Sequence, residues 1–368
     1  MKNNKKIFII FSYLSVTVAL SVFMFLVLVY PQHDGEGVKK GINLCLYTLM
    51  PSMYPFMFLS SFIISSSLAE KSELVFAFVT RKILNLPGIC GVIIILSMIG
   101  GLPVGAKAVE DAFDNGCITQ TEGQRLLTFC INPGPAFVIT SVGFYFMNSK
   151  LVGVIIYISL VLSSLTIGFL TKFIFHSDGS FIYNKKEKAT QITNFSVSLV
   201  SSVSTAIRSI INVSSWVILF SCIIELIGVF PLSEGTNLFI SCITEMTTGV
   251  KVASGKVPVP IIAGIIGFTG ICGHMQIMPT VIKLKMPLRY FLAARVINAA
   301  LATVISMLLL DVFFVSVETV TIGYLPETLA SDFSFPVCIG VLIMSVLLLL
   351  GDNFYVKNGS ILRWKKTL

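Results

Sequence analysis

From Ile7 to Tyr30 the chain runs for about 24 residues without an Asp, Glu, Lys or Arg, more than the roughly 20 an α-helix needs to cross a hydrocarbon core. Five further long apolar runs follow, at Gly41–Ser66, Leu151–Thr171, Ser209–Phe230, Leu288–Leu310 and Phe333–Leu350. Inside lipid a backbone must satisfy its own N–H and C=O groups, which leaves helices and closed barrels. Runs this long, without apolar-polar alternation, specify helices. Composition agrees, with 55% hydrophobic and only 12% charged residues and a mean hydropathy of +0.90, against roughly 25% charged for a soluble domain. The expected class is an all-α polytopic membrane protein in a lipid bilayer, which excludes most soluble-enzyme functions. A net charge of +8 without a basic block of domain size argues against nucleic acid and for membrane orientation.

Two stretches, Ile89–Met147 and Asn237–Val281, are apolar but interrupted by Gly, Pro and single charges. They are too broken for straight helices and too apolar for loops, so they predict discontinuous helices or re-entrant hairpins buried in protein. Lys2, Lys5 and Lys6 before the first run predict a retained anchor with the N-terminus cytoplasmic and Pro31–Lys40 outside. Arg81 and Lys82, then Lys172, Lys185, Lys186 and Lys188, then Lys283, Lys285 and Arg289, and finally Lys357, Arg363, Lys365 and Lys366 mark cytoplasmic segments. Asp311–Asp332, acidic and without Lys or Arg, reads as external, and the C-terminus as cytoplasmic. The chain then divides into an anchor and loop (1–40), a first repeat (41–172), a cytoplasmic linker (173–196), a second repeat of opposite direction (197–310), and an external loop, last span and basic tail (311–368). Gly105-Ala106-Lys107 in the first repeat matches Gly249-Val250-Lys251 in the second. This order predicts an inverted repeat, the architecture of carriers that bind solute near the midplane.

Chemistry-bearing residues concentrate at the breaks. Gly101, Pro103 and Gly105 stop a helix and start another, leaving backbone groups and a positive helix end for a small anion; a close helix crossing is the plainer reading. Lys107 and Lys251 either line a cavity or reach an interface. Asn132-Pro133-Gly134-Pro135 forbids continuous helix, so Asn132 and Gly134 either meet a ligand or form a capped turn. Arg125 suits a carboxylate, and also a pairing with Glu122 or Asp111. Thr269, His274 and Gln276 lie in a glycine-spaced break, where His274 is a ligand contact or a satisfied core residue. Glu245, with Thr248 nearby, is an acid within the second broken stretch and suits a coupling Na⁺ or H⁺, or a buried pairing with Lys251 or Lys107. The eight cysteines form no CxxC pair, no nucleotide or hydrolase motif occurs, and no metal, cofactor or enzymatic activity is expected.

Gly100-Gly101-Leu102-Pro103-Val104-Gly105-Ala106-Lys107, then Thr119-x-x-Glu122-x-x-Arg125-Leu126-Leu127-x-Phe129-Cys130-x-Asn132-x-Gly134-Pro135, and later His274-Met275-Gln276, resemble the YlbJ-type sporulation integral membrane proteins. These belong with the nucleoside-recognition or Gate membrane domains, similar in architecture to concentrative nucleoside transporters. Leu102 stands where the family usually has an aromatic residue, and Pro133 precedes Gly134. The resemblance implies a protein of the cell membrane or outer forespore membrane of the mother cell, moving dipicolinic acid toward the spore and needed for the cortex. A nucleoside-type carrier and a non-transporting scaffold for spore assembly are the alternatives, and self-association is left open. Dipicolinate is itself two-fold symmetric, so Lys107 and Lys251 would each take one carboxylate in a pseudo-symmetric site.

Overall fold

The computed structural model describes residues 2–65, 76–78, 80–175 and 195–313. The predicted last span at 333–350, most of the linker at 173–196 and nearly all of the acidic segment at 311–332 lie outside the described residues. Among the described residues all regular structure is helical. Four helices are long and apolar enough to cross a membrane, or up to six if each bent pair is one span. The protein is an all-α polytopic membrane protein.

Helix α1 (Lys2–Val29) exposes apolar residues such as Leu14, Val18, Phe25 and Leu28. It meets α2 (Pro31–Leu44) at a bend of 101°. The sequence suggested that Pro31–Lys40 lies outside as a connecting segment, but it is helical. Its glycines let the backbone lie directly on α9 (Phe195–Ile227): a Cβ on Gly37 would meet Cys222 Cα, and one on Gly41 would meet Ile218 Cα. A π-helical turn, Cys45–Leu49, continues α2 into α3 (Met50–Ser65). The Cys45 thiol donates to the Ser214 carbonyl, and the Ser65 and Ser202 hydroxyls lie 3.2 Å apart. Residue numbers therefore rise along α2–α3 as they fall along α9, so the first long helices of the two halves are antiparallel, as an inverted repeat demands.

Each half then folds back on itself. In the first, α4 (Ile89–Gly100) turns at Gly101 into α5 (Leu102–Asp114). Residues eight apart in a straight helix are separated by about 12 Å. Here a Cβ on Gly105 would come within 2.6 Å of Ser97 Cβ, so the two arms lie against each other as a re-entrant hairpin. Gly101 makes the turn at φ 88, ψ −172, a region essentially reserved for glycine. In the second half α10 (Glu234–Thr244) and α11 (Met246–Ala253) fold at Glu245, and a Cβ on Gly249 would sit 2.5 Å from Cys242 Cα. Gly105 and Gly249 each stand four residues past their turn, where only a hydrogen fits between the arms.

After each hairpin comes an interrupted helix. Helix α6 (Gln120–Phe129), opened by a Thr119/Glu122 capping box, breaks over Cys130–Pro135 and resumes as α7 (Ala136–Phe146), wound as a π-helix. Helix α12 (Val259–Phe268) breaks at Thr269 and resumes as α13 (Gly270–Lys283). Straight helices α8 (Lys150–Ile174) and α14 (Leu288–Val312) close the halves and pack together. The order of long helix, hairpin, broken helix and straight helix is thus repeated.

Candidate functional site

The hairpin turns and the helix breaks meet. Gly101 packs on Gly134: a Cβ on Gly101 would lie 2.7 Å from Gly134 N, and one on Gly134 would lie 2.9 Å from Ile99 O. In the other half a Cβ on Gly270 would lie 3.1 Å from Met246 N. Thr269, the break residue, is a β-branched side chain held at φ 71, an outlier that the packing around it must sustain. Glu245 is extended, at φ −140 and ψ 120, and its carboxylate accepts from the Thr247 N–H at 2.8 Å and the Thr248 N–H at 2.6 Å. It thus satisfies two of the four N–H groups that open α11. Gly101, at the equivalent turn, carries no such group.

A chamber of about 40 Å³ lies where all four interruptions converge, bordered by Leu102, Pro133, Glu245, Met246 and Thr269. Beside it is a larger cavity of about 390 Å³, sharing Pro103, Val213 and Gln276 with the chamber. Its walls are helical stripes. Pro103, Ala106, Lys107 and Glu110 form one face of α5, and Thr205, Arg208, Ser209 and Asn212 one face of α9, each at spacing i, i+3, i+4, i+7. Gln276 and Thr280, four apart on α13, complete it. At its rim Lys283 reaches Glu110 at 3.0 Å and Asp114 at 2.5 Å, Thr280 donates to Glu110 at 3.0 Å, and Lys107 pairs with Asp111 at 2.9 Å. Polar stripes on apolar helices are costly against lipid, so this polar-walled cavity, here called the vestibule, is turned toward protein and abuts the chamber.

No protein-family model matches the chain, and no solved structure matches it. A sequence relative is the sporulation integral membrane protein YlbJ of Bacillus subtilis (strain 168), 22% identical over 331 residues that span 78% of this chain and 81% of that protein. The chain is a relative of the YlbJ-type sporulation integral membrane proteins. That relationship runs through both hairpins and both broken helices, because a match covering 78% of the chain cannot be confined to one half.

The residues singled out by sequence fall into three groups. Glu245, Thr269 and Gln276 border the chamber, and Lys107 and Gln276 the vestibule. Gly101, Gly105 and Gly134 form the turn and the close backbone contacts beneath it, and Thr248 supplies a backbone N–H to Glu245. The third group borders neither cavity. Arg125 is buried, donating to the Thr171 hydroxyl at 3.2 Å and to the carbonyls of Asn85 and Gly168. Asn132 donates to the Leu160 carbonyl and the Ser164 hydroxyl and accepts from Asn298. His274 is buried edge-on between the rings of Phe268 and Phe291. Lys251 is exposed near the end of α11.

Three residues that carry the site escaped the sequence reading. Arg295, fully buried on α14, donates to the carbonyls of Thr128 and Ile131, capping the end of α6 where the break begins. Asn298, one turn on, donates to Gly267 O at 3.0 Å and to Asn132 Oδ1 at 2.9 Å, and accepts from Ser163 at 2.8 Å. The freed carbonyls of both breaks are thereby held by side chains of α14. Arg208 is the third, on the vestibule wall. A polar stripe at 205, 208, 209 and 212 was readable within an apolar run; the partners of Arg295 and Asn298 were not.

Proposed function

We propose that the chain is a sporulation membrane carrier that moves a small organic anion, dipicolinic acid foremost, from the mother cell across the outer forespore membrane for spore maturation and cortex formation. The observation that carries this reading is a polar-walled vestibule that shares Pro103, Val213 and Gln276 with a chamber bordered by two hairpin turns and two helix breaks. Such breaks in facing halves are where carriers bind solute, and the sporulation context comes from the name of the relative. The repeated hairpin and broken helix fit a Gate-type module. Glu245, with the α11 turn and Thr248, is the group we assign to a coupling Na⁺ or H⁺, because it is a buried acid at the chamber wall.

The test is uptake of labelled dipicolinate and labelled uridine, side by side, into proteoliposomes holding the purified chain. Saturable dipicolinate uptake, competed by unlabelled dipicolinate, supports the proposal. Uridine uptake in its place makes it a nucleoside-type carrier. Uptake of neither by folded protein favours a scaffold for spore assembly.

A further inference from the structure

The charged groups of the vestibule already have partners. Lys107 pairs with Asp111 at 2.9 Å, Glu110 accepts from Thr280 and from Lys283 at 3.0 Å each, and Arg208 is engaged as well. Two carboxamides on the vestibule wall stand apart from this ionic network: Asn212 on α9 and Gln276 on α13, helices that pack together. They stand where the two cavities meet. Gln276 is the polar one of the three residues common to vestibule and chamber, and Asn212 directly precedes Val213, another of the three. Asn212 Nδ2 donates to the Gln276 backbone carbonyl at 3.4 Å, and Gln276 Nε2 donates to Cys272 Sγ at 3.4 Å. The first contact is longer than the ordinary range of about 2.7–3.2 Å, and the second ends on sulfur, a weak acceptor. An amide carries two N–H donors and a carbonyl oxygen. Each residue therefore still has a second N–H and its side-chain oxygen without a partner among the described residues.

We propose that Asn212 and Gln276 are the solute-reading contact of this chain, an uncharged pair of amides that donates N–H groups to the acceptor edge of a flat, carboxylate-bearing ring. The inference rests on the carrier reading above and names residues of that same site. Pyridine-2,6-dicarboxylate holds its ring nitrogen between two carboxylates, a row of acceptors in one plane. Amides on two packed helices can each turn an N–H to such a row, and a bond to a carboxylate is the stronger kind because one partner is ionised. Size assigns the ring to the vestibule. Its volume of about 390 Å³ lies in the range that takes small molecules, whereas the chamber of about 40 Å³ has room for about one water-sized group. Charge agrees, because the chamber wall carries the Glu245 carboxylate and, among the described residues, no Lys, Arg or His. The ring then lies against Gln276, with the chamber left to a smaller group.

The test uses the full chain in proteoliposomes, with labelled pyridine-2,6-dicarboxylate as probe and benzene-1,3-dicarboxylate, which lacks the ring nitrogen, as competitor. Gln276→Leu and Asn212→Leu should each raise the KM for the probe about tenfold, the loss of one hydrogen bond to an ionised group, and change the maximal rate less. Both should also shrink the preference for the pyridine ring over the benzene ring, which a merely structural role would leave alone. Gln276→Glu keeps the shape but puts an acceptor in place of the N–H donors, and should be worse than Gln276→Leu. Wild-type KM and preference in both leucine variants overturn the proposal, as does a Gln276→Glu chain that transports like wild type. A second measurement does not depend on those variants folding. In an Asn212→Cys chain that keeps Gln276, the dicarboxylate should slow modification of position 212 by a thiol reagent, read on the peptide by mass spectrometry. Modification at the same rate with and without the dicarboxylate also overturns it. Wild-type protein that takes up no dicarboxylate refutes the carrier reading itself, an outcome distinct from transport indifferent to both amides.

Discussion

Asn298 of α14 donates to the side chain of Asn132 at 2.9 Å, and the same amide donates to the Gly267 carbonyl at 3.0 Å, so one residue ties the helix break of the first half to that of the second. Both ends of this bridge are otherwise satisfied, by Ser163 on Asn298 and by Leu160 O and Ser164 on Asn132. A buried network in which every member is paired rigidifies what it touches, and removing one member leaves several groups unpaired.

Asn298→Ala should therefore cost more than a typical core substitution. It removes the donor to the Asn132 Oδ1 and to the Gly267 carbonyl, at about 1–3 kcal/mol for each buried group left without a partner, while the Ser163 hydroxyl keeps its bond to Leu160 O. Thermal unfolding of the purified protein in detergent should show a clear fall, with Asn132→Ala lower by a similar amount. The double variant should fall by less than the sum, since the two share one network.

Gly105 and Gly249 set the closeness of the two hairpins. Alanine at 105 places a methyl group against the Cys130 carbonyl oxygen and Ser97 Cβ, and alanine at 249 places one against the Cys242 backbone, an overpacking of about 1–3 kcal/mol. Gly235→Ala, where nothing lies within 4 Å, serves as the comparison and should leave the unfolding midpoint near wild type. The fraction of monodisperse protein recovered after mild heating measures all three.

Glu245→Ala removes the acceptor for the Thr247 and Thr248 N–H groups and should cost about 1 kcal/mol, the usual value of a lost helix N-cap. Glu245→Gln keeps an acceptor oxygen and should retain most of that stability while losing the charge. If Glu245 carries the coupling ion, uptake by Glu245→Gln no longer responds to an imposed Na⁺ or pH gradient, whereas wild-type uptake does. A response equal to that of wild type assigns the coupling elsewhere.

The turn after α13 places Lys283, Lys285 and Arg289 within seven positions at the vestibule end of the second half. The positive-inside rule predicts a cytoplasmic position for this end. A cysteine replacing the exposed Lys285 should react with an impermeant thiol reagent in permeabilised cells and not in intact ones. Labelling in intact cells reverses the orientation and makes the vestibule an external mouth.

Much of the frame was legible from local sequence. Gly100-Gly101-Leu102-Pro103 and Asn132-Pro133-Gly134-Pro135 cannot be wound as continuous helix, and the chain is interrupted at both places. The matching glycines at 105 and 249 were visible as a repeat, and their common place four residues past a turn explains why each must be small. Other features were closed to this kind of reading. Pro31–Lys40 is polar enough to pass for a loop, yet it is helix because Gly37 and Gly41 dock on α9, a contact between residues nearly two hundred positions apart. By sequence Asn132 reads as a ligand contact or a capped turn and Arg125 as the partner of a carboxylate, yet both donate to carbonyls of the distant helix α8, Leu160 and Gly168.

The sequence by itself determined that the chain lives in a bilayer as helices and where those helices must break. Both follow from properties of short segments, namely the length of apolar runs and the conformational limits of glycine and proline. Only the tertiary structure decided which polar side chains hold the breaks together and which border the cavity. A helix offers every side chain a direction, but what lies in that direction is set by the packing of distant helices. Arg295, Asn298 and Arg208 were therefore three unremarked polar residues in apolar runs until α14 met the two breaks and α9 met α5.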